Sequence, residues 1–160
     1  MIPKQDLQEL FRKELATTLK VMHAYPKDRP EYKPHEKSSD VIKLMSTFVF
    51  EMYLNKSFMF GEVLDRNKFK DYKPGGVDQV ILDFETEANE VGQKLDAMQE
   101  GDLSKAIEFG GTKFTADRFF MMMLCDQIHH RGQLSVYVRL AGGQVPSIYG
   151  PSADDPSTNL

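Results

Sequence analysis

The chain has no tryptophan and one cysteine, Cys125, among its 160 residues. A lone cysteine forms no internal disulfide, and a chain of this length buries enough core to need none. Long apolar runs are also missing. The longest, residues 119–125, is seven residues, far short of the roughly 20 that a membrane-spanning helix requires. Nor is there an excess of positive charge: 20 Lys and Arg stand against 24 Asp and Glu, a net charge of −4. A nucleic-acid footprint needs a basic face, so nucleic acid is not an expected partner. The sequence holds no Gly-rich phosphate loop, no CxxC pair and no local signature of a Ser-His-Asp triad. Its opening, MIPKQDLQEL, lacks the apolar stretch of a secretory signal. These absences lead to the expectation of one cytoplasmic domain over residues 1–160, with no membrane partner.

What is present is apolar periodicity. Leu7, Phe11, Leu15, Leu19 and Met22 recur every three or four residues and predict a first helix over residues 4–24. Pro26, Pro30 and Pro34 stop it. Ser38 or Ser39 then offers a cap, with Asp40 in the first turn of a second helix that runs to about Phe60 and Gly61. That helix is apolar nearly all round, so it is expected to pack on more than one neighbour. A charged loop over residues 65–76, with room for another helical turn, leads to a third helix over residues 77–98. The acidic outer face of this helix reads as solvated surface. Residues 103–114 carry Gly110-Gly111 and alternate weakly, which suits a short hairpin or a compact loop. Thr115 caps a fourth helix that ends at Gly142-Gly143, and residues 144–160, with three prolines, form an irregular surface tail. The predicted fold is all-α, a four-helix bundle with long connections.

The densest group of ionisable residues on an otherwise apolar helix is Asp126-Gln127-Ile128-His129-His130-Arg131-Gly132-Gln133. Asp126 and His130 are i, i+4 and share a face, on which Gln133 and Tyr137 follow. Two ligand-type side chains at this spacing can reach one cation. They can equally form a hydrogen-bonded pair that needs no metal. Met122, Cys125, His129 and Val136 form a neighbouring stripe, with Cys125 read as a buried small hydrophobe. Gly132 costs about 1 kcal/mol against Ala inside a helix, which calls for close helix approach or access to a ligand. Arg131 and Arg139 are expected to pair with acids, and Tyr149 to anchor the tail on the bundle through its ring.

The run DQIHHRGQLSVYVRLAGGQVPSIYGPS resembles the last helix and tail of the DinB/YfiT-like family of four-helix bundles. Its shared features are the His-His-Arg-Gly-Gln stretch, the Tyr-x-Arg and the Pro-x-x-Tyr-Gly ending. The stretch PHEKSSDVIKLMSTFVFEMYL is similar to the family's second helix. The family name reflects a damage-inducible member, which implies a stress response but no DNA contact. The resemblance implies a homodimer and a divalent metal (zinc, nickel or manganese) held by one His of the second helix and two of the fourth. Carried over by position, the fourth-helix ligands fall on His130 and on Asp126, a carboxylate where the family usually has His. The second-helix ligand falls on Ser46, or on Thr47 one residue on. Glu51 matches the family's Glu. It replaces the missing ligand only if the second helix is rotated, because it lies about 140° from Ser46 on an ideal helix. His23 and His35 are further donors to consider.

Two functions follow. In one, a metal on Asp126, His130 and Ser46 activates a thiol or water, as in thiol S-transferases or hydrolases, with Glu51 as base and Gln133 or Tyr137 orienting a small-molecule ligand. In the other, the site has lost its metal, and the bundle is a small-molecule binding or dimeric interaction module.

Overall fold

The computed structural model describes residues 2–156. Four long helices, α1 (Lys4–His23), α2 (Val41–Phe60), α4 (Val77–Ala97) and α5 (Ala116–Leu140), enclose one main core. A single short helix, α3 (Arg66–Lys70), sits in the α2–α4 connection. Between α4 and α5 come a 3-10 turn (Glu100–Ser104) and the strands β1 (Ala106–Phe109) and β2 (Thr112–Thr115). The two strands pair antiparallel, Ala106 opposite Thr115 and Phe109 opposite Thr112. Gly110 and Gly111 form the turn with φ of 58° and 78°, the left-handed pair that a two-residue hairpin demands. Of the two forms the sequence allowed for this segment, the hairpin is the one adopted.

Each of α1 and α2 packs on both α4 and α5. The first and second long helices, α1 and α2, are therefore not side by side, and neither are α4 and α5, so the connections between them cross the ends of the bundle. By contrast, α2 and α4 are direct neighbours. Leu7 and Phe11 of α1, Phe48 of α2, Phe84 of α4 and Phe120 and Leu124 of α5 meet in the core. As its all-round apolarity required, α2 serves two clusters. Its second face joins Leu54 to Ile107, Phe119 and Met123, with the rings of Phe50 and Phe58 packed outside them.

Asp40 is the α2 cap, accepting the Lys43 backbone N–H at 2.7 Å. This corrects the assignment to Ser38 or Ser39: a carboxylate at the helix start gains from the macrodipole as well as the hydrogen bond. Thr115 does precede α5, but its hydroxyl donates to Asp117 Oδ1 instead of accepting a helix N–H. Gly61 closes α2 with φ of 74°. The acidic face of α4 is less solvated than its composition suggested. Glu87 and Glu90 pair with Lys56, which is buried on α2, and Asp83 accepts the Tyr72 hydroxyl at 2.6 Å.

Gly132 corrects another expectation. Among the described residues nothing lies within 4 Å of where its Cβ would stand, so close helix packing does not account for it. The close approach occurs at Gly143, where a Cβ would fall 2.6 Å from the Ala24 carbonyl oxygen. Cys125 is exposed rather than buried. Its stripe, with His129 and Val136, faces outward, while Phe120, Leu124, Gln127, Arg131 and Leu134 form the core stripe of α5.

The tail, as far as Pro156, lies irregularly on the bundle; residues 157–160 are outside the described part. It is fastened by a buried ion pair. Arg131, 1% exposed, contacts Glu14 Oε2 at 2.7 Å. The Tyr149 hydroxyl accepts from Arg131 Nη2 at 2.5 Å and donates to Glu14 Oε2 at 2.7 Å, and the guanidinium lies over the Tyr149 ring. Arg139 pairs with Asp154 at 2.7 Å. Both arginine pairings and the tyrosine anchor agree with the sequence reading. Among the described residues, no helix is long and apolar enough to cross a membrane.

Candidate metal centre

Between α2 and α5 the fold brings Glu51, Asp126 and His130 together, with one ligand atom of each lying within 4.8 Å of the others. The i, i+4 spacing places His130 Nε2 3.7 Å from Asp126 Oδ1. The same nitrogen is 3.9 Å from Glu51 Oε1 across the helix interface. Both distances are too long for hydrogen bonds. They exceed by a few tenths of an ångström the spacing of about 3.4 Å that donors have around a tetrahedral ion.

Glu51 is the unusual member. It is 1% exposed, and neither carboxylate oxygen has a hydrogen-bond partner among the described residues. Burial, and then the charge of Asp126, push its carboxyl up to about 9; the approach of the Gln127 amide offsets this only in part. Without a cation Glu51 is thus a neutral acid at pH 7. A buried carboxyl with two orphaned oxygens costs stability, and a bound cation would remove that cost. The residues present fit a divalent ion. Two carboxylates and an imidazole make three protein ligands, the number found where positions are left open for catalysis. Oxygen-rich sets of this kind suit manganese and zinc.

Gln133 supports the ring of His130. Its Nε2 lies 2.8 Å from His129 Nε2, and its Oε1 lies 3.4 Å from His130 Nδ1. Accepting at Nδ1 leaves the Nε2 lone pair directed toward the two carboxylates, the tautomer a metal needs. The side chain of Asp126 is 48% exposed and that of His130 21%, so the centre opens to solvent along α5.

The ligand set differs from the one carried over by position. Ser46 is not brought into the centre: its hydroxyl donates to the Ile42 carbonyl at 2.7 Å, and it lines a cleft with Lys43 and Tyr72. Glu51, expected as a base or, on a rotated helix, as the replacement ligand, is the α2 residue that stands in the group able to hold an ion. The 140° between the two residues explains the exchange, because α2 turns Glu51 toward α5. Tyr137 does not join the three-residue group either. Its hydroxyl donates to the Ser39 carbonyl at 2.9 Å and ties α5 to the loop before α2. His23 and His35 are exposed, and His35 Nδ1 accepts the Lys37 N–H, so neither joins the group.

Gln127 was singled out in sequence only as a member of the cluster. It is fully buried beside Glu51, and its Oε1 accepts from Thr18 at 3.4 Å while Nε2 is left without a partner. Asn55, one turn after Glu51, is buried with an orphaned Oδ1. The legible signal was position: Gln127 and Arg131 are polar residues at core-stripe spacing.

Carboxylate and imidazole donors brought together from two packed helices are an arrangement from which helical bundles can build metal sites. The chain belongs to the DinB family, whose model matches residues 7–159. A DinB-like protein of Bacillus cereus ATCC 10987 superposes with a TM-score of 0.80 at 18% identity, covering 91% of this chain and 97% of that one. The DinB-like protein YjoA of Bacillus subtilis gives a TM-score of 0.72 at 20% identity, covering 97% and 99%. At these identities the likeness establishes the fold. An uncharacterized protein of Bacillus subtilis strain 168, YrdA, is 40% identical over 53 residues. That match spans 33% of this chain and 32% of YrdA.

Proposed function

We propose that this DinB-family bundle is a metal-dependent enzyme in which Glu51, Asp126 and His130 hold one divalent cation, manganese or zinc before nickel. The observation that carries the reading is the pair of orphaned oxygens on the buried Glu51, facing His130 Nε2. A bound ion would supply Lewis acidity, lowering the pKa of a thiol or water in an open position. Glu51 and Asp126 bring the compensating negative charge. Gln133 holds the His130 ring and its tautomer, and the apolar groups packed around α2 limit water on the inner side. The solvent-open side at Asp126 is where a small-molecule thiol or other substrate enters. The reading also includes a cytoplasmic homodimer, supported by the lone unpaired Cys125 and by Val136 and Leu140, each 54% exposed on α5.

One observation favours the metal-free alternative, a binding or interaction module. Asp126 and His130 at 3.7 Å already form an ion pair when the ring is protonated. Calorimetric titration with manganese, zinc and nickel decides between the two. One equivalent bound by the wild type and lost in Glu51→Ala and His130→Ala supports the centre. Binding by none of the three ions, or binding unchanged in both variants, rejects it.

A further inference from the structure

Two clefts lie side by side along the outer face of α2 and meet at Phe50 and Phe69, whose ring centroids are 4.1 Å apart. The first, about 480 Å³, is lined by Phe50, Leu54, Phe58, Leu64, Phe69 and Phe109. The second, about 530 Å³, has a different chemistry: Lys43, Lys70 and Lys73 stand around the hydroxyls of Ser46 and Thr47. All three lysines are exposed, and none forms an ion pair among the described residues. Among the described residues the one acid on this rim is Asp40, whose carboxylate is engaged as the α2 cap. An aromatic trough thus continues into a rim of net positive charge, on the scale of a small-molecule site.

The groove runs along the helix that carries Glu51, although Glu51, Asp126 and His130 do not themselves line it. Thr47 and Leu54, one turn before and one turn after Glu51, point within about 40° and 60° of it on an ideal helix. From α5, Met122, one turn before Asp126, packs on the same aromatic cluster.

We propose that this groove binds a small amphiphilic organic anion. Its aromatic or similarly apolar body lies against Phe50, Leu54, Phe58 and Phe69, and its carboxylate or sulfonate lies at Lys43, Lys70 and Lys73. As the substrate class of the neighbouring centre the proposal rests on the metal reading; as a binding site it stands alone.

The probe is anilinonaphthalene sulfonate, whose emission rises in apolar surroundings, titrated into chelator-treated and zinc-loaded protein. Competitors are naphthoate, an anion, and the cationic naphthylmethylamine. We expect saturable one-to-one binding in both preparations, displaced by naphthoate and not by the amine. The double variant Lys70→Glu/Lys73→Glu should weaken it by about tenfold, because attraction is replaced by repulsion at two exposed positions. Phe69→Ala should weaken it similarly, with helicity checked by circular dichroism. Lys13→Glu, on α1, should have no effect. Lysine-dependent binding supports the groove even if metal titration fails. Binding that does not saturate, or that is the same in the double variant as in Lys13→Glu, overturns it even if metal binds.

Discussion

Glu51 concentrates the chemistry of the molecule in one side chain. Its carboxyl is held protonated by burial and by Asp126, and is pushed up to about 9. An ordinary unfolded-state value lies near 4.3, so between about pH 4.3 and 9 the metal-free folded state holds a proton that the unfolded state releases. Stability contributed by this group is complete below the unfolded value and falls as pH rises through the window. Glu51→Gln should remove that fall and stabilise the metal-free protein at pH 7 by up to about 4 kcal/mol, as measured by urea unfolding across pH. The same proton competes with a cation, so metal affinity should increase from pH 6 to pH 8; calorimetry in buffers of different ionisation enthalpy would detect the released proton. Gln133→Ala should weaken metal binding by about tenfold or more while leaving the fold intact, since it frees the His130 ring. At this scale the sequence was partly legible. Asp126 and His130 follow from i, i+4 spacing. Ser46 was misplaced because a position carried over by resemblance takes no account of how α2 is rotated, and one exchange of five residues moves the ligand to another face. Gln127 was read only as a member of the polar cluster, because a buried amide looks like any polar helix residue until its place on the core stripe is counted.

Among the elements, the four long helices were the easiest to read, because apolar residues three and four apart leave little choice of face. Their packing was not readable: that α1 and α2 each pack on α4 and α5 depends on connections whose path no local pattern records. The Gly110-Gly111 hairpin was half legible, since two glycines permit the turn without requiring strands around it. The glycines of α5 and the tail separate the local rule from tertiary contact. Gly132→Ala should stabilise the protein by up to about 1 kcal/mol, because its Cβ would meet nothing within 4 Å. Gly143→Ala should destabilise it by about 1–3 kcal/mol, because its Cβ would press on the Ala24 backbone oxygen at 2.6 Å. Thermal denaturation of the two variants should therefore move in opposite directions.

For the whole molecule, two polar devices cross an otherwise apolar bundle. One is the Arg131–Glu14–Tyr149 lock, which joins α1, α5 and the tail. Arg131→Ala would strand Glu14 in the interior and should cost about 3–5 kcal/mol in chemical unfolding. The other is the centre at Glu51, whose buried carboxylate oxygens have no hydrogen-bond partner among the described residues. That contrast is the physical basis for the metal reading: the lock is complete as the chain folds, and the centre is not. The most direct test is metal content by inductively coupled plasma mass spectrometry, on untagged protein purified without chelator and on Asp126→Ala and His130→Ala. The account predicts close to one equivalent of manganese or zinc in the wild type and loss from both variants. A wild type without bound metal, even after incubation with each ion and dialysis, would contradict it.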